Sequence, residues 1–268
     1  MKINLGKTKR PFFIGIGGIG ISAIARMFLL EGPSTELRVK KKVSGSDMAE
    51  SEVTVELRKL GALVFLNQRA ENIPADCDLV IYTIAVPPDN PEFAEAKRRG
   101  IPMMSYPEAL GEISRGKFTI AVSGTHGKTT TTAMIAKILI DAKLDPTVVV
   151  GSLIKDETGR RTNFIGGKSK YFVVEACEYK LSFLNINPKV VVITNIDADH
   201  LDYYKDIDGV IKGFSEFAAK VSKSGYIVTN IKDKSIKLAI KNLTCKIVDY
   251  KMLQVTSYKL QVVGQHNI

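Results

Sequence analysis

Short apolar runs alternate along the chain with segments whose apolar residues recur every three or four positions. That alternation predicts βαβ units and a mainly parallel sheet, the grammar of an α/β protein. Residues 12–14 read as a first strand, and Ile21, Ile24, Ala25, Phe28 and Leu29 then share one helical face. Residues 53–60 and 92–99 read as helices, and 79–82 as a buried strand followed by a loop containing Pro87, Pro88 and Pro91. A polar, glycine-containing link at 112–117 marks a boundary. The grammar then restarts with a strand at 118–122 and a helix at 129–142, whose Met134, Ile135, Ile138, Leu139 and Ala142 are expected to face inward. Further buried strands are expected at 171–175, 190–194 and 226–229. The organisation expected is a Rossmann-like parallel-sheet domain over 1–114 and a phosphate-loop α/β domain over 115–268, with 264–268 opening a further element. The charged stretch 31–43 is long for a link between helix and strand, and reads as a surface insertion or an altered stretch of reading frame.

Composition narrows the class. The chain has 268 residues, 45% of them hydrophobic and 25% charged, which suits a water-soluble globular protein with a sizeable core. The net charge of +10 is spread along the chain without an aromatic-interleaved basic stripe, so no nucleic-acid partner is expected. A basic balance also suits phosphate-rich small substrates. Residues 11–30 are apolar enough to suggest a membrane span, but four glycines and Arg26 interrupt them. With no secretory leader at the start, and with Cys77, Cys177 and Cys245 odd in number and far apart, a reducing, cytoplasmic location away from the membrane is expected.

Three motifs carry chemistry. Gly15, Gly17, Gly18 and Gly20 form G-x-G-G-x-G between a strand and a helix, where glycine lets backbone approach a pyrophosphate at a helix N-terminus. Asp47, at the end of the second strand, stands where a ribose hydroxyl would lie. NAD, FAD and UDP-sugars are all candidate ligands for this motif. The second motif is Ser123-Gly124-Thr125-His126-Gly127-Lys128-Thr129-Thr130. Its lysine suits phosphate oxygens and its Thr129 hydroxyl suits Mg²⁺, so ATP binding is expected. Val122 stands where a standard Walker loop has glycine, so the loop is a variant. The third motif combines Glu175, closing one strand, with residues 194–200, closing another. Ligands lie beyond such strand ends in doubly wound sheets, and a carboxylate with the His200 imidazole there suits divalent ions. Of the three histidines, His126 and His200 lie in these motifs and His266 lies in Gly264-Gln265-His266-Asn267.

Taken in order, the glycine motif, Ser44-Gly45-Ser46-Asp47, the Gly124–Thr132 run, Glu175-Ala176-Cys177-Glu178-Tyr179 with Ser182-Phe183-Leu184, and Thr194-Asn195-Ile196-Asp197-Ala198-Asp199-His200-Leu201-Asp202 resemble the Mur ligase family of peptidoglycan synthesis, in its alanine-adding branch. The resemblance runs from about Pro11 onward and covers two of the family's three domains. It implies ATP-dependent joining of L-alanine to the carboxylate of UDP-N-acetylmuramate through an acyl phosphate. By resemblance, Lys128 would stabilise the transferred phosphoryl group, Thr129 and Glu175 would hold one Mg²⁺, and His200 a second. Gly15 to Gly20, Asp47, Thr83, Ile84 and His126 would meet the UDP-sugar, and Asn267 the adenine. The third domain, which completes the ATP site and orients the amino acid, lies outside the resemblance, so a chain inactive alone is expected. A ligase that recycles a tripeptide onto the same sugar is the nearest alternative. A nucleotide-dependent dehydrogenase leaves Lys128 and Thr129 idle, and a binding fragment without turnover is the third reading.

Overall fold

A computed structural model describes residues 3–30, 41–156 and 158–252. Most of the charged stretch at 31–43, and residues 264–268 with His266 and Asn267, lie outside the described residues.

The first strand, β1 (Pro11–Ile14), is buried at every position, as an interior strand covered on both faces must be. The chain continues through α1 (Ile19–Leu30), β2 (Ser44–Ser46), α2 (Glu52–Lys59), β3 (Leu63–Phe65), β4 (Leu79–Tyr82), α3 (Pro91–Arg98), β5 (Met103–Ser105) and α4 (Tyr106–Ser114). The five strands form a parallel sheet in the order β3-β2-β1-β4-β5. Strand order reverses beside β1, so the carboxyl ends of β1 and β4 border the crevice where such sheets receive ligands.

The second unit runs β6 (Phe118–Ser123), α5 (Lys128–Asp141), β7 (Thr147–Lys155), β8 (Arg161–Ile165), β9 (Tyr171–Glu175), β10 (Val190–Ile193), α6 (Leu201–Tyr204), α7 (Ile207–Ala218), β11 (Tyr226–Thr229), α8 (Lys234–Ala239) and β12 (Lys246–Asp249). Its seven strands are ordered β12-β11-β10-β6-β9-β7-β8. All pairings are parallel except β7 with β8, a hairpin that the apolar pattern does not announce. The α/β class expected from the alternation of runs is the fold observed. Among the described residues, no helix is long and apolar enough to cross a membrane, and all three cysteines are free.

Four expectations need correction. The pattern gave α1 one inward face, yet every residue from 21 to 28 is buried. The reason is a second neighbour: β7 and β8 of the other sheet pack on the side of α1 that an amphipathic helix would leave wet. Pro91 opens α3 rather than extending a loop, with Asn90 as its cap accepting from the Phe93 N–H, a position where proline loses no hydrogen bond. The link at 112–117 is half helix, because α4 runs to Ser114. On α5, Met134 and Ile138 are 46% and 61% exposed and Ala142 is exposed, while Thr132 and Ala136 are buried. Ile135 and Leu139 do pack against the core of the second sheet as expected. Small residues let that helix lie close on β6, β7 and β9, so apolar character alone picked only part of the buried stripe.

Candidate active site

The first glycine loop is held from below by the end of β2. Gly15 and Ile16 donate to the Ser46 carbonyl at 2.9 Å each, and Gly17 donates to Asp47 Oδ2 at 2.7 Å. Gly15 has φ +78°, and a Cβ there would meet Thr83 Cγ2 at 2.7 Å, so the loop and the end of β4 touch where only hydrogen fits. Ile84 is partly exposed beside it. A Cβ on Gly20 would strike the Tyr106 ring at 2.6 Å. Burial, with Cys177 and Glu175 nearby, pushes the Tyr106 phenol well above its usual range. Tyr106 therefore stands between this loop and the end of β9. Structure brings together Gly15, Gly17, Gly18, Gly20, Asp47 and Thr83 as the sequence suggested. Asp47 is spent on the loop itself, its second oxygen accepting from the Met48 N–H at 2.8 Å.

The second loop is tied to the end of β10. Thr125 N–H donates to the Asn195 carbonyl at 3.2 Å and His126 N–H to Asn195 Oδ1 at 2.9 Å. Asp197 N–H donates to Thr125 Oγ1 at 2.9 Å. A Cβ on Gly124 would lie 2.0 Å from Thr194 Oγ1. Gly127, in the left-handed region, precedes the first turn of α5, whose unpaired amides and dipole favour an anion. Thr130 is exposed on that turn. The His126 side chain is 71% exposed, with Nε2 4.0 Å from Asp197 Oδ2. An open groove of about 520 Å³ beside it is lined by His126, Ile135, Val192, Val228 and Tyr250 among others.

The carboxylates and His200 meet at the same edge. Thr129 Oγ1 donates to Glu175 Oε2 at 3.0 Å, and the Gly151 N–H of β7 donates to that oxygen at 2.8 Å. Lys128 Nζ lies 2.9 Å from Glu178 Oε1, and His200 Nε2 lies 3.8 Å from the same oxygen. Glu178 is 2% exposed, and its Oε2 is buried with no hydrogen-bond partner. The Tyr204 hydroxyl donates to the Glu178 carbonyl, and burial keeps that phenol protonated by raising it far above its usual range. Glu178, Asp199 and His200 can each bring a ligand atom within 4.8 Å of the others. Carboxylate oxygens and an imidazole, one oxygen orphaned, fit a divalent cation. Backbone strain gathers here too: Lys180, Leu181 and His200 have φ of +51°, +55° and +52°, conformations that persist where surrounding structure enforces them and that cluster at functional sites.

The sequence reading of the site named Lys128, Thr129, Glu175 and His200 but gave no role to Glu178 or Asp199, though both stand inside its motifs. It also missed a buried network at the back of the site. Arg26 Nη1 donates to Asn163 Oδ1 at 2.5 Å, Arg26 Nη2 to Glu56 Oε2 at 2.5 Å, and Asn163 Nδ2 to the Ile19 carbonyl at the start of α1. A lone arginine in an apolar helix was the available signal, since a buried guanidinium requires partners.

Comparison with known proteins agrees with this geometry. The Mur ligase middle domain matches residues 122–268, and the Mur ligase family catalytic domain matches residues 12–118. UDP-N-acetylmuramate–L-alanine ligase of Clostridium kluyveri is 45% identical over 251 residues, 93% of this chain and 52% of that protein. The chain thus spans about half the length of the curated relatives it matches. Among solved structures, UDP-N-acetylmuramate-alanine ligase of Thermotoga maritima is 32% identical with a TM-score of 0.72, covering 86% of this chain and 51% of that one. UDP-N-acetylmuramate:L-alanyl-gamma-D-glutamyl-meso-diaminopimelate ligase of Neisseria meningitides has a TM-score of 0.78 at 24% identity, covering 90% and 77%, a likeness of fold. With two strand–glycine–helix loops at the ends of two adjoining sheets and family matches along both, the chain belongs to the Mur ligase family.

Proposed function

We propose that this chain carries the UDP-sugar and ATP sites of a ligase that joins L-alanine to the carboxylate of UDP-N-acetylmuramate. The observation that carries the reading is the convergence of Lys128, Thr129, Glu175, Glu178 and His200 at one edge of the second sheet. We infer a division at 115–117, with residues 1–114 receiving the UDP-sugar and residues 115–268 receiving ATP, in a cytoplasmic protein.

The proposed chemistry follows from charge. The muramate carboxylate attacks the γ-phosphorus of ATP and ADP leaves, giving an acyl phosphate. The alanine amine then attacks the acyl carbon, and inorganic phosphate departs as the amide forms. Phosphoryl transfer depends on positioning and on neutralising the oxygens of the transferred group. Lys128, once drawn off Glu178, and the amides of the first turn of α5 would meet those oxygens. Thr129 and Glu175 would hold one Mg²⁺, and His200 with Glu178 a second. The bound ions would neutralise phosphate charge and orient the two carboxyl and phosphoryl oxygens. Gly15 to Gly20, Thr83 and Ile84 would receive the UDP-sugar at the crevice beside β1, with Asp47 keeping the loop in shape. The groove lined by Ile135, Val192, Val228 and Tyr250 suits a flat apolar base, and Asn267 is proposed to reach the adenine.

The tripeptide-adding alternative has no better support. The relative at 45% identity carries the alanine-adding name, and the structure named for the tripeptide substrate is 24% identical. Binding isotherms test the proposal directly: UDP-N-acetylmuramate and Mg-ATP should each bind the chain at separate sites. Binding of NADH with no binding of ATP would replace the ligase reading by a dehydrogenase one. Release of ADP by any assembly containing this chain should require both the UDP-sugar and L-alanine.

A further inference from the structure

Lys128 is the residue an incoming phosphate needs, yet its ammonium has no donor to spare. Nζ lies 2.7 Å from the Gly124 carbonyl, 3.1 Å from the Thr125 carbonyl and 2.9 Å from Glu178 Oε1. An ammonium has three donors and no acceptor, so those three contacts use it up. To meet a phosphate, Lys128 must release at least one of them.

The three acceptors are not equivalent. Two are carbonyls of the loop itself and move with it. The third is a carboxylate that is almost wholly buried and already short of partners, since Glu178 Oε2 accepts no hydrogen bond. Withdrawing the cation from a buried pair leaves an uncompensated charge, which is far more costly than the pair is favourable. An anion arriving alone would make matters worse by placing more negative charge next to Glu178. Asp199 and His200 also meet Glu178, with ligand atoms within 4.8 Å, and His200 Nε2 lies 3.8 Å from the same Oε1 that holds Lys128. They supply donors for a cation but bring no fixed positive charge of their own beyond what His200 can carry.

We propose that Glu178 makes nucleotide binding and divalent-cation binding depend on each other, because the phosphate can draw Lys128 off the carboxylate only when a divalent cation takes the ammonium's place against Glu178, Asp199 and His200. The inference rests on the reading of residues 123–130 as a nucleotide phosphate site. It goes beyond that reading by giving Glu178 a task in the nucleotide-free protein: it stands in for the phosphate and sets Lys128 aside. Linkage then requires reciprocity, so nucleotide raises cation affinity by the same factor that cation raises nucleotide affinity.

Calorimetry with the full chain tests this, using ADP and a non-hydrolysable ATP analogue, each with Mg²⁺ and with a chelator at constant ionic strength. In Glu178→Gln the stranded charge is gone, so metal-free ADP should bind about tenfold tighter than to the unsubstituted chain, and the preference for Mg²⁺ should narrow by about the same factor. Glu178→Asp keeps the charge and should keep the preference. Metal-free affinity unchanged or reduced in Glu178→Gln overturns the proposal. Should that variant not fold, the unsubstituted chain carries the test: its Mn²⁺ affinity, read by electron paramagnetic resonance and corrected for the binary Mn²⁺–ADP complex, should rise about tenfold with ADP. Equal Mn²⁺ affinity with and without ADP overturns the proposal. A chain that binds neither nucleotide under any condition, while still binding the UDP-sugar, removes the phosphate-site reading itself.

Discussion

Residues 15–20 and residues 123–128 both lead from a buried parallel strand into a helix, and both use a left-handed glycine, Gly15 at φ +78° and Gly127 at φ +79°. Beyond that they differ in kind. The first loop is closed by backbone amides on the Ser46 carbonyl and by Asp47 on Gly17. Nothing in those contacts needs to break for a ligand to arrive. The second loop has comparable neutral ties to Asn195 and Asp197, but adds a charge pair, Lys128 with Glu178, at the very atom a phosphate would seek. One loop is a finished cradle and the other is a balance of charges. The fold gives them a shared back wall, because α1 packs Phe28 on Phe13 of the first sheet and lies against β7 and β8 of the second, and Asn163 ties β8 to the first residue of α1. Substitutions in the first loop should therefore act through shape, and those in the second through charge.

The largest effect should come from Lys128→Ala. It removes a charged donor from the proposed phosphate site, worth about 1.5–3 kcal/mol, so ATP-dependent thermal stabilisation should disappear while UDP-sugar affinity stays within about twofold. It also strands Glu178, so the ligand-free chain should lose roughly 3–5 kcal/mol in denaturant unfolding. Adding Glu178→Gln should restore most of that stability but not the ATP response. Equal loss of both ligands would break the division of labour between the loops.

A matched pair of glycine substitutions sharpens it. Gly124→Ala puts a Cβ at φ +132° against Thr194 Oγ1 and 3.0 Å from the Asn195 carbonyl. Backbone cannot step aside as a side chain can, so the variant should lose about 1–3 kcal/mol and its ATP binding. Gly17→Ala would meet Asp47 Oδ2 and Thr54 Cγ2, both at 2.8 Å. These are side-chain ends that can yield, at the cost of the Gly17–Asp47 bond. About 1 kcal/mol of stability and part of the UDP-sugar affinity should go, with ATP affinity kept. Calorimetry with the two ligands separates the outcomes.

Both loops were legible in the sequence as strand–glycine–helix turns; the first left its ligand open among NAD, FAD and UDP-sugars, and the second, with Lys128 and Thr129 after Gly127, pointed to a nucleotide phosphate. Interior parallel strands such as β1, β4 and β10 were legible because burial on both faces makes them apolar throughout, as at Phe12 to Ile14, whereas the short or edge strands β3, β5 and β12 were not. Periodicity failed where an element has two neighbours or a small-residue contact. A helical pattern reports one wet face, so it could not see β7 and β8 against the far side of α1, and it preferred Met134 and Ile138 to the buried Thr132 and Ala136. Glu178 was in plain view, but its pairing with Lys128 joins positions 50 apart that only the β6–β9 register brings together. Arg26 was likewise visible, and its partner Asn163 lies on a hairpin that the pattern did not predict.

That hairpin gives the next prediction. Asn163→Ala removes the acceptor of Arg26 Nη1 and the donor to the Ile19 carbonyl in a dry site, leaving Arg26 with Ser22 and Glu56. A loss of about 1–3 kcal/mol is expected. Because the contact holds the two sheets to one helix, both ligand affinities should weaken together, unlike any substitution within a loop. Weakening of only one would mean that the back wall does not connect the sites.

The smallest effect concerns Glu92, which sits under the first loop. Burial holds its carboxyl above the ordinary value of 4.5, against the pull of hydrogen bonds from Ser46 Oγ at 2.5 Å, Asn72 Nδ2 at 2.8 Å and the Arg69 N–H at 3.3 Å. The folded protein therefore holds this proton more tightly than the unfolded chain. The contribution of Glu92 to stability is fully present below the unfolded value and declines as pH rises through the folded one. Glu92→Gln carries no such proton, so its unfolding free energy relative to the parent should improve as pH rises above the ordinary carboxylate range. Ser46 precedes Asp47, so any change in binding should fall on the UDP-sugar and leave ATP untouched. Parallel stability curves for parent and variant would show that the Glu92 carboxyl titrates as freely in the folded chain as in the unfolded one, and the first loop would then owe nothing to charge beyond Asp47.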